Sequence, residues 1–553
     1  MEADLEKPGC MPGLATPAEG AGADALSYRR PSGPHRIARS AIGLSILSFL
    51  GPLSGFLVEL ALGWRYGIGP LVDGYRVGLV FFLFAQSIAW GILPNLVVPF
   101  FAEISRDKRA KEAWSAISGL GFFFLALGIV FAAAGSHFAL PLARWFAPGL
   151  DPAGFSTATS FVRSFSLAVL PLAWFGIMTG LFQCHGIFWV QPFAQGLYNL
   201  LLLGAILWTG PNGLVLAPIL GCVLIGLLFL GRLLPLARKE GWPLWSAGRL
   251  SLQTLRRFLK NGLPLFLTLG VGYAGVIFLT RATSLLPSGS VASFGYSWKV
   301  LQLGLIVPGA LATVLFPRMS DAWSAKEGVE FRRLWREGLR LMLFFSAPVV
   351  LLCTIFSRDL ISVLLARGAF SGAAIEETSL VLAILALAIP ASAGTAFLQK
   401  GFYSRNETLF PSAVSVIGAI LVMTCSEVTA RRFGLAGLAW LTPGIGWISF
   451  LWLAAASRST GANGWRSWGR FVASLLFASA AAGSVAYGIK GWLCPGSQAG
   501  ALLRLGVASV LSLATFVLLL RMLGLPEATR VLAYAGWQLQ AIKRKATLGQ
   551  GRS

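Results

Sequence analysis

The chain has 553 residues, of which 56% are hydrophobic and 12% are charged, and its mean hydropathy is +0.72. A soluble domain carries about 25% charged residues, so this composition excludes an ordinary soluble protein and indicates one embedded in a lipid bilayer. The formal net charge of +23 would suit a nucleic-acid-binding protein, but the positions of the charges along the chain argue against that function.

The apolar residues are grouped into fourteen segments long enough to cross a membrane. About 20 apolar residues in a helix span about 30 Å of hydrocarbon, and backbone amides in lipid must be satisfied within the segment. Continuous apolar runs exclude a transmembrane β-barrel, whose strands alternate over about 10 residues. We therefore predict an all-α polytopic membrane protein with about fourteen helices. The segments are 40–63, 77–101, 113–135, 156–182, 187–208, 213–234, 262–284, 292–316, 339–357, 376–399, 409–427, 433–456, 469–490 and 500–523.

The basic residues alternate between the two sides of these segments. If both termini lie on one side, the tails and alternate loops on that side hold 33 of the 45 Lys and Arg, and the opposite side holds 10. Cytoplasmic loops carry the excess of Lys and Arg in membrane proteins. We therefore predict a multi-pass protein of the bacterial inner membrane with both termini in the cytoplasm, and no nucleic-acid partner.

The two ends of the chain are less apolar than the rest. Residues 1–37 are rich in Gly, Pro and Ala and are predicted to form a disordered cytoplasmic tail, while the first span acts as an uncleaved membrane signal. Residues 524–553 contain the stretch VLAYAGWQLQAIKRK. This stretch is basic and amphipathic, so we expect it to lie on the cytoplasmic membrane surface.

The sequence carries no pattern typical of an enzyme or a metal site. The six Cys and three His are scattered, without the close ligand spacing of zinc sites. No nucleophile elbow or phosphate-binding loop is present, and the loops predicted to face outward are short. We predict a protein that is not an enzyme and needs no metal or cofactor.

Two polar turns interrupt the apolar sequence in a similar way. The first, residues 183–192, reads QCHGIFWVQP and follows the fourth span; the second, residues 399–411, reads QKGFYSRNETLFP and follows the tenth. Three pairs of landmarks recur at nearly one offset, 216 to 219 residues, and they are Gln183 with Gln399, Pro192 with Pro411, and Pro99 with Pro317. The alternative is that cytoplasmic turns reuse Gln, Pro and aromatic residues independently.

This offset predicts that spans one to six and seven to twelve are duplicated halves in the same orientation. Parallel repeats of this kind are a transporter architecture, with the substrate path between the halves. The predicted domains are an N-lobe over 38–250, a C-lobe over 251–456, and a last pair of helices over 457–523.

Several motifs resemble those of the MurJ (MviN) family of lipid II flippases. The motifs are YGIGPLVDGYRV at 66–77, LARWFAPGL at 142–150, GSVASFGYSWKVLQLGLIVPGALATVLFPRMS at 289–320, RGAF at 367–370, LAIP at 387–390 and FYSRNETLFP at 402–411. The resemblance covers residues 40 to 523. It implies a fourteen-helix fold of the MOP exporter superfamily, in which two lobes enclose a cationic cavity that opens alternately to either face. The implied partners are an undecaprenyl-linked glycan lipid and membrane lipids, with helices thirteen and fourteen forming a groove for the lipid tail around a monomeric transporter.

The resemblance also suggests substrate-binding residues. Lys299 aligns with a cavity arginine of the family's eighth helix, and Asp73 matches an acidic residue at the outer mouth. Glu59 falls where the family often has an acid in its first helix, and it could pair with Arg76 or Arg163. An ion pair or a solvated position is the structural alternative for each of these charges.

Other candidates lie near the cytoplasmic side or replace expected cations. Gln183, Lys400 and Arg405 belong to the polar turns and are candidates for a cytoplasmic gate, although the positive-inside rule alone would place the two cations there. Gln86 stands where the family has an arginine in its second helix. The first-helix arginines are also absent, with Pro52 or a neighbour and Val58 at those positions.

These departures leave two flippase substrates open and a third function less favoured. The predicted function is outward movement of a polyprenyl-pyrophosphate-linked glycan by alternating access, with lipid II for peptidoglycan synthesis as the leading substrate. A precursor of an exopolysaccharide or another envelope glycan is the main alternative. A MATE-like, cation-coupled exporter of small molecules fits less well, because it usually has twelve helices and buried acids. Since membrane acids are scarce here, the membrane potential is favoured over a cation gradient as the driving force.

Overall fold

The computed structural model describes most of the predicted membrane region. The described residues are 51–106, 110–240, 251–370, 372–457, 465–492 and 498–529. The predicted N-terminal tail and the basic amphipathic stretch after residue 530 lie outside them.

The described chain is built from α-helices, and these residues contain no β-strand. A π-helical segment, Ile88–Ile92, joins the second and third helices. The helices are α1 (51–66), α2 (Pro70–Ser87), α3 (Leu93–Arg106), α4 (Ala110–His137), α5 (Ala139–Phe146), α6 (Pro152–Val169), α7 (Leu172–Cys184), α8 (Val190–Trp208), α9 (Gly210–Glu240), α10 (Leu252–Ser284), α11 (Ser290–Gly304), α12 (Ile306–Ser324), α13 (Gly328–Ile355), α14 (Ser357–Leu365), α15 (Gly372–Ala386), α16 (Ile389–Ser404), α17 (Leu409–Ala456), α18 (Trp465–Trp492) and α19 (Gln498–Met522).

Most of the predicted spans correspond to apolar helices. Within the described residues, nine helices are long and apolar enough to cross a membrane, and two bent pairs raise that number to eleven. The bent pairs are α11 with α12, at 45°, and α15 with α16, at 42°. Helix α17 contains two predicted spans and has a non-helical residue, Gly434, near the start of the second. The prediction of an all-α polytopic membrane protein is confirmed, whereas the count of fourteen stays a prediction.

The predicted duplication is visible in the order and length of the helices. Helices α4 and α13 each have 28 residues, and each is followed by a short helix and then by a span in two segments, α6–α7 and α15–α16. The two polar turns also fold alike. Ile187 N donates to Phe182 O, and Glu407 N donates to Phe402 O in the second copy.

The turn geometry refines the alignment of the two halves. Gly186 has φ 72° and Asn406 has φ 63°, so both turns pass through the left-handed region at the same point. Gly and Asn are the residues that adopt this conformation at least cost. By the equivalence of these hydrogen bonds, Gln183 in the first half corresponds to Tyr403 in the second. The sequence motifs had matched it to Gln399. The halves are therefore duplicated as predicted, with a shift of four residues at this turn.

The packing follows these halves. The largest buried apolar cluster joins helices α1 to α9 and also includes Tyr296 of α11 and Leu365 of α14. A second cluster joins α12, α13, α16 and α17 to the last two helices. The first half therefore packs against the second through α11, α14 and α15, and also along α10, whose Phe258 belongs to the same cluster. The boundaries of the predicted lobes stay a prediction.

Candidate functional site

A cavity of about 610 Å³ lies between the two halves. Helices α1, α2 and α8 form its wall on one side, and α11 with the start of α12 forms the other. The volume is within the range of about 300–1,000 Å³ typical of small-molecule sites. The charged and amide side chains that line it are those of Glu59, Gln86, Gln191, Gln195, Asn199, Lys299 and Gln302.

Lys299 supplies an unpaired cation to this cavity. It lies in α11 and is partly buried, and no hydrogen bond or ion pair joins its ammonium to any residue in the described parts of the chain. Charged groups inside membrane segments are costly and usually serve a function. The placement agrees with the role of Lys299 in substrate binding, which stays a prediction.

Glu59, by contrast, is already neutralised. Its Oε2 atom accepts a hydrogen bond of 2.7 Å from Arg76 Nη2, and both side chains are less than one-tenth exposed. The Arg76 guanidinium also lies 4.5 Å from the centre of the Tyr296 ring, within the range of a cation–π interaction. The ion pair belongs to α1 and α2, while the ring belongs to α11, so Arg76 connects the two halves.

Arg76 fits against α11 because position 295 is a glycine. A Cβ atom added to Gly295 would lie 2.3 Å from the Arg76 Cζ atom. Contacts this short do not occur between non-bonded carbon atoms, so a larger residue at position 295 would displace the guanidinium. Within the sequence GYSW, Gly295 therefore leaves space for the Arg76 guanidinium, and Tyr296 supplies the aromatic face beside it.

Asp73 caps a helix of the opposite half. Its two carboxylate oxygens accept hydrogen bonds from Gly289 N, at 2.6 Å, and from Ala292 N, at 2.7 Å. These amides lie at the start of α11, where the first N–H groups of a helix have no partner within it. A carboxylate is stabilised there by the helix dipole as well. Helix α11 has no capping side chain of its own, so Asp73 supplies the cap from across the interface.

Further backbone contacts surround this cap. Tyr296 Oη donates to Gly67 O at 3.0 Å, and Ala369 N donates to Trp64 O at 2.9 Å. Gly368 (φ 62°) lies so close to the backbone of Trp64 that a Cβ atom added to Gly368 would be 2.1 Å from Trp64 O. We call this set of contacts, from Trp64 to Ala292 and Ala369, the outer closure, because the positive-inside rule predicts that this end of the bundle faces outward.

The outer closure also explains why several motifs occur together. The segments 66–77, 289–320 and 367–370 are far apart in sequence but meet there. The segment 142–150 lies at the same end, where Trp145 O accepts a hydrogen bond of 2.5 Å from Arg281 Nη1. The motifs therefore mark an interface between the halves at one end of the cavity.

The candidate cytoplasmic gate residues are dispersed. Lys400 Nζ donates to Thr313 Oγ1 of α12 at 2.8 Å. Arg405 has a side chain only 7% exposed and pairs with Glu407 at 2.5 Å. Gln183, at the end of α7, does not line the cavity.

Arg405 is held by aromatic rings rather than presented to a substrate. The guanidinium lies 4.9 Å from the Phe402 ring, 5.6 Å from Trp335 and 5.8 Å from Trp323. In this arrangement it connects α12, α13 and α16 at the end of the turn. Lys400 is the better placed of the two for an anionic ligand, because its partner is a neutral hydroxyl group rather than a carboxylate.

Arg163 is not brought to the cavity. It is exposed on α6, and within the described residues it has no recorded partner and does not pair with Glu59. Of the six predicted substrate-binding residues, Lys299, Glu59 and Gln86 line the cavity. Arg76 and Asp73 lie at its closed end.

Sequence reasoning missed the amide side chains of α8 and α11. Gln191, Gln195 and Asn199 are spaced by four residues, so they share one face of a helix. This spacing within an apolar run was a usable signal. The described residues contain no group of three His, Cys, Asp or Glu side chains placed to hold a metal ion.

Comparison with known proteins identifies the family. A sequence profile described as "Lipid II flippase MurJ" matches residues 66–505, which is well over half of the chain. The chain belongs to the MurJ family. This confirms the resemblance carried by the motifs, and it makes the chain a multi-pass bacterial membrane protein of a transporter family rather than an enzyme.

Individual members of the MurJ family are distant in sequence. The chain is 25% identical over 446 residues to the probable lipid II flippase MurJ of Rhizobium tropici, covering 78% of this chain and 83% of that protein. It is 24% identical over 428 residues to the lipid II flippase MurJ of Burkholderia cenocepacia, covering 74% and 81%.

Solved structures show the same fold. A lipid II flippase MurJ in an inward closed conformation matches with a TM-score of 0.75 at 16% identity, covering 87% of this chain and 99% of that one. An inward-facing MATE family multidrug transporter of the MOP superfamily matches with a TM-score of 0.62 at 17% identity, covering 76% and 99%. The two matches together confirm the predicted fold, which MurJ and MATE transporters share.

Proposed function

We propose that this protein moves a polyprenyl-pyrophosphate-linked glycan precursor from the cytoplasmic to the outer leaflet, with lipid II for peptidoglycan synthesis as the leading substrate. The observation that carries the proposal is Lys299, an unpaired cation in a cavity between the two halves. A pyrophosphate cannot enter hydrocarbon without compensation of its charge. An ammonium without a carboxylate partner is available to provide that compensation.

The proposed mechanism is alternating access. The outer closure seals one end of the cavity, and rocking of the halves around the site would open it. The lipid tail would occupy the groove of α18 and α19 while the headgroup enters the cavity. The protein acts as a monomer in the inner membrane, with both termini cytoplasmic.

Lys299→Ala is expected to abolish function, because it removes the unpaired cation of the cavity. The measurement is growth of a strain depleted of its own lipid II flippase and supplied with this chain. Wild type is expected to rescue growth, and Lys299→Arg should retain rescue because it keeps the charge.

Arg232→Ala serves as the matched control, because Arg232 is an exposed cation of α9 away from the cavity. It should rescue as wild type does. Membrane expression of each variant is followed on blots. Rescue by well-expressed Lys299→Ala would contradict the role of this cation. No rescue by well-expressed wild type would exclude lipid II in that host.

A second substrate class has a specific observation in its favour. Gln86 lines the cavity where the family resemblance leads one to expect an arginine, and Val58 also adjoins it without a charge. A cavity with fewer cations suits a glycan lipid with fewer anionic groups. Rescue of a strain blocked in export of an exopolysaccharide precursor, without rescue of lipid II transport, would establish this alternative.

The membrane potential is the proposed driving force. The carboxylate of Glu59, which lines the cavity, is paired with Arg76, so it is not free to bind a coupling cation. Moving one charge across the membrane contributes about 2.3 kcal/mol per 100 mV. In vesicles, transport should follow an imposed potential in the absence of a proton or sodium gradient. Transport driven by either gradient at zero potential would contradict this proposal.

A further inference from the structure

Carboxamide side chains occupy most of the polar positions of the cavity wall. Gln86 projects from α2, Gln191 and Gln195 from α8, and Gln302 from α11. None of these four amides has a recorded hydrogen-bond partner in the described residues. Each one offers an oxygen acceptor and two N–H donors, and all four side chains are at least partly exposed in the cavity wall, where a ligand can reach them. The cavity therefore presents a set of unused donors and acceptors.

Asn199 shows what a structural amide looks like in the same wall. Its Nδ2 atom donates to Gly51 O and to Ser54 Oγ, both at 3.0 Å. Both of its donors are thus committed to joining α8 to α1. Gln195 and Gln191 lie one and two helical turns away on the same face, and neither side chain forms a hydrogen bond of this kind within the described residues. Packing of α8 against α1 accounts for Asn199 but not for the two glutamines.

The charge of the cavity is small in comparison. Glu59 is compensated by Arg76 at 2.7 Å, which leaves Lys299 as the unpaired charge among the lining residues. A diphosphate joining a lipid to a sugar carries two negative charges. One cation can hold such a group in place, but it gives little discrimination between one phosphorylated lipid and another. The remaining recognition must come from neutral groups.

We infer that Gln86, Gln191, Gln195 and Gln302 form a subsite for the sugar next to the diphosphate, with Lys299 holding the phosphate. Sugar hydroxyl and acetamido groups are both donors and acceptors, as the glutamine amides are. Gln302 follows Lys299 by three residues and therefore lies beside it on α11, where phosphate and sugar would meet. This inference rests on the proposed function and assigns its specificity to the glycan.

A stacked aromatic pair lies behind the subsite. Phe82 and Tyr198 line the cavity, and their rings are stacked with centroids 5.4 Å apart and an angle of 10° between the planes. Binding sites commonly combine apolar and aromatic walls with a few placed polar groups. Because Phe82 and Tyr198 are only 1% and 3% exposed, this pair forms an apolar backing behind the amides, and the amides provide the contacts to the sugar hydroxyl groups.

The test compares two probes with the purified full-length protein in nanodiscs. One probe is a short-chain polyprenyl diphosphate, and the other is the same lipid bearing an N-acetylhexosamine disaccharide. Wild type should bind the glycan-bearing probe about ten-fold or more tightly than the sugar-free one, the gain expected from one or two additional hydrogen bonds. The double variant Gln191→Leu/Gln195→Leu should remove most of that difference and leave binding of the sugar-free probe unchanged.

Gln253→Leu is the matched control, since Gln253 is exposed on α10 and does not line the cavity. It should bind both probes as wild type does, whereas Lys299→Ala should weaken both. Equal binding of the two probes by wild type, or an unchanged difference in the glutamine double variant, would overturn the sugar subsite while leaving the flippase proposal standing. If folded wild-type protein bound neither probe, the proposed function itself would fail.

Discussion

Replacing Arg76 by alanine is expected to destabilise the protein by about 3–5 kcal/mol, the usual cost of leaving one partner of a buried ion pair uncompensated. Glu59 would remain in the wall of the cavity without its 2.7 Å partner. The contact with Tyr296 at 4.5 Å would be lost as well. The measurement is thermal unfolding of the purified protein in detergent, followed by the loss of monodisperse material.

Two variants separate the ion pair from a general effect of losing an arginine. Arg163→Ala removes an exposed arginine of α6 and should change the unfolding temperature little. The double variant Arg76→Met/Glu59→Leu removes both charges, and it should recover most of the stability, because apolar residues of similar volume often replace a buried pair without loss. A double variant as unstable as Arg76→Ala would contradict the explanation.

The fold could be predicted from the sequence because each helix is specified locally. Apolar runs of about 20 residues determine spans, and a nearly constant offset between landmarks determines the duplication. Helices α4 and α13, both 28 residues long, illustrate how closely the halves agree. The four-residue shift at the polar turn was hidden because glutamine occurs in both turns. The backbone hydrogen bonds show that the position equivalent to Gln183 is Tyr403.

The fold brings some of the predicted site residues to the cavity and leaves others away from it, for physical reasons. Lys299, Glu59 and Gln86 line the cavity as their places in the family resemblance implied. Arg163 was considered as a partner for Glu59, but it is exposed on α6, and the face that α6 turns outward is set by its packing rather than by a local sequence pattern. Arg405 was expected to be accessible, and only the fold brings three aromatic rings around it.

Contacts between the halves were beyond the reach of sequence reasoning. The amides capped by Asp73 are more than 200 residues away from it in the chain. No local pattern links a carboxylate at the start of α2 to the first turn of α11. The resemblance marked Asp73 as an acidic residue of the outer mouth, and the structure adds the groups that it holds.

Asp73→Asn is expected to open the outer closure. The Asp73 carboxylate accepts hydrogen bonds from two backbone N–H groups, at 2.6 and 2.7 Å. An asparagine keeps one acceptor oxygen, but its NH₂ group would face the second N–H, and two donors cannot form a hydrogen bond. Loss of a helix cap and of one charge-assisted hydrogen bond together costs about 2 kcal/mol. Because these contacts exist only where the halves meet, their loss favours the separated state by about thirty-fold.

Thiol labelling measures this shift directly. Ser290 is 2% exposed within the closure, so Ser290→Cys, in a background without the native cysteines, should react slowly with a membrane-impermeant reagent. Adding Asp73→Asn should raise the labelling rate by roughly the same thirty-fold, since only open molecules react.

Asp151→Asn is the matched control for this shift. Asp151 also caps a helix, accepting from Gly154 N at 2.7 Å, but both residues belong to the first half. Its loss weakens α6 without removing a hydrogen bond between the halves, so labelling of Ser290→Cys should stay slow. Equal acceleration by Asp73→Asn and Asp151→Asn would mean that any weakened cap exposes this end. Acceleration by Asp73→Asn alone would mean that one carboxylate reaching across the interface keeps the cavity closed on this side.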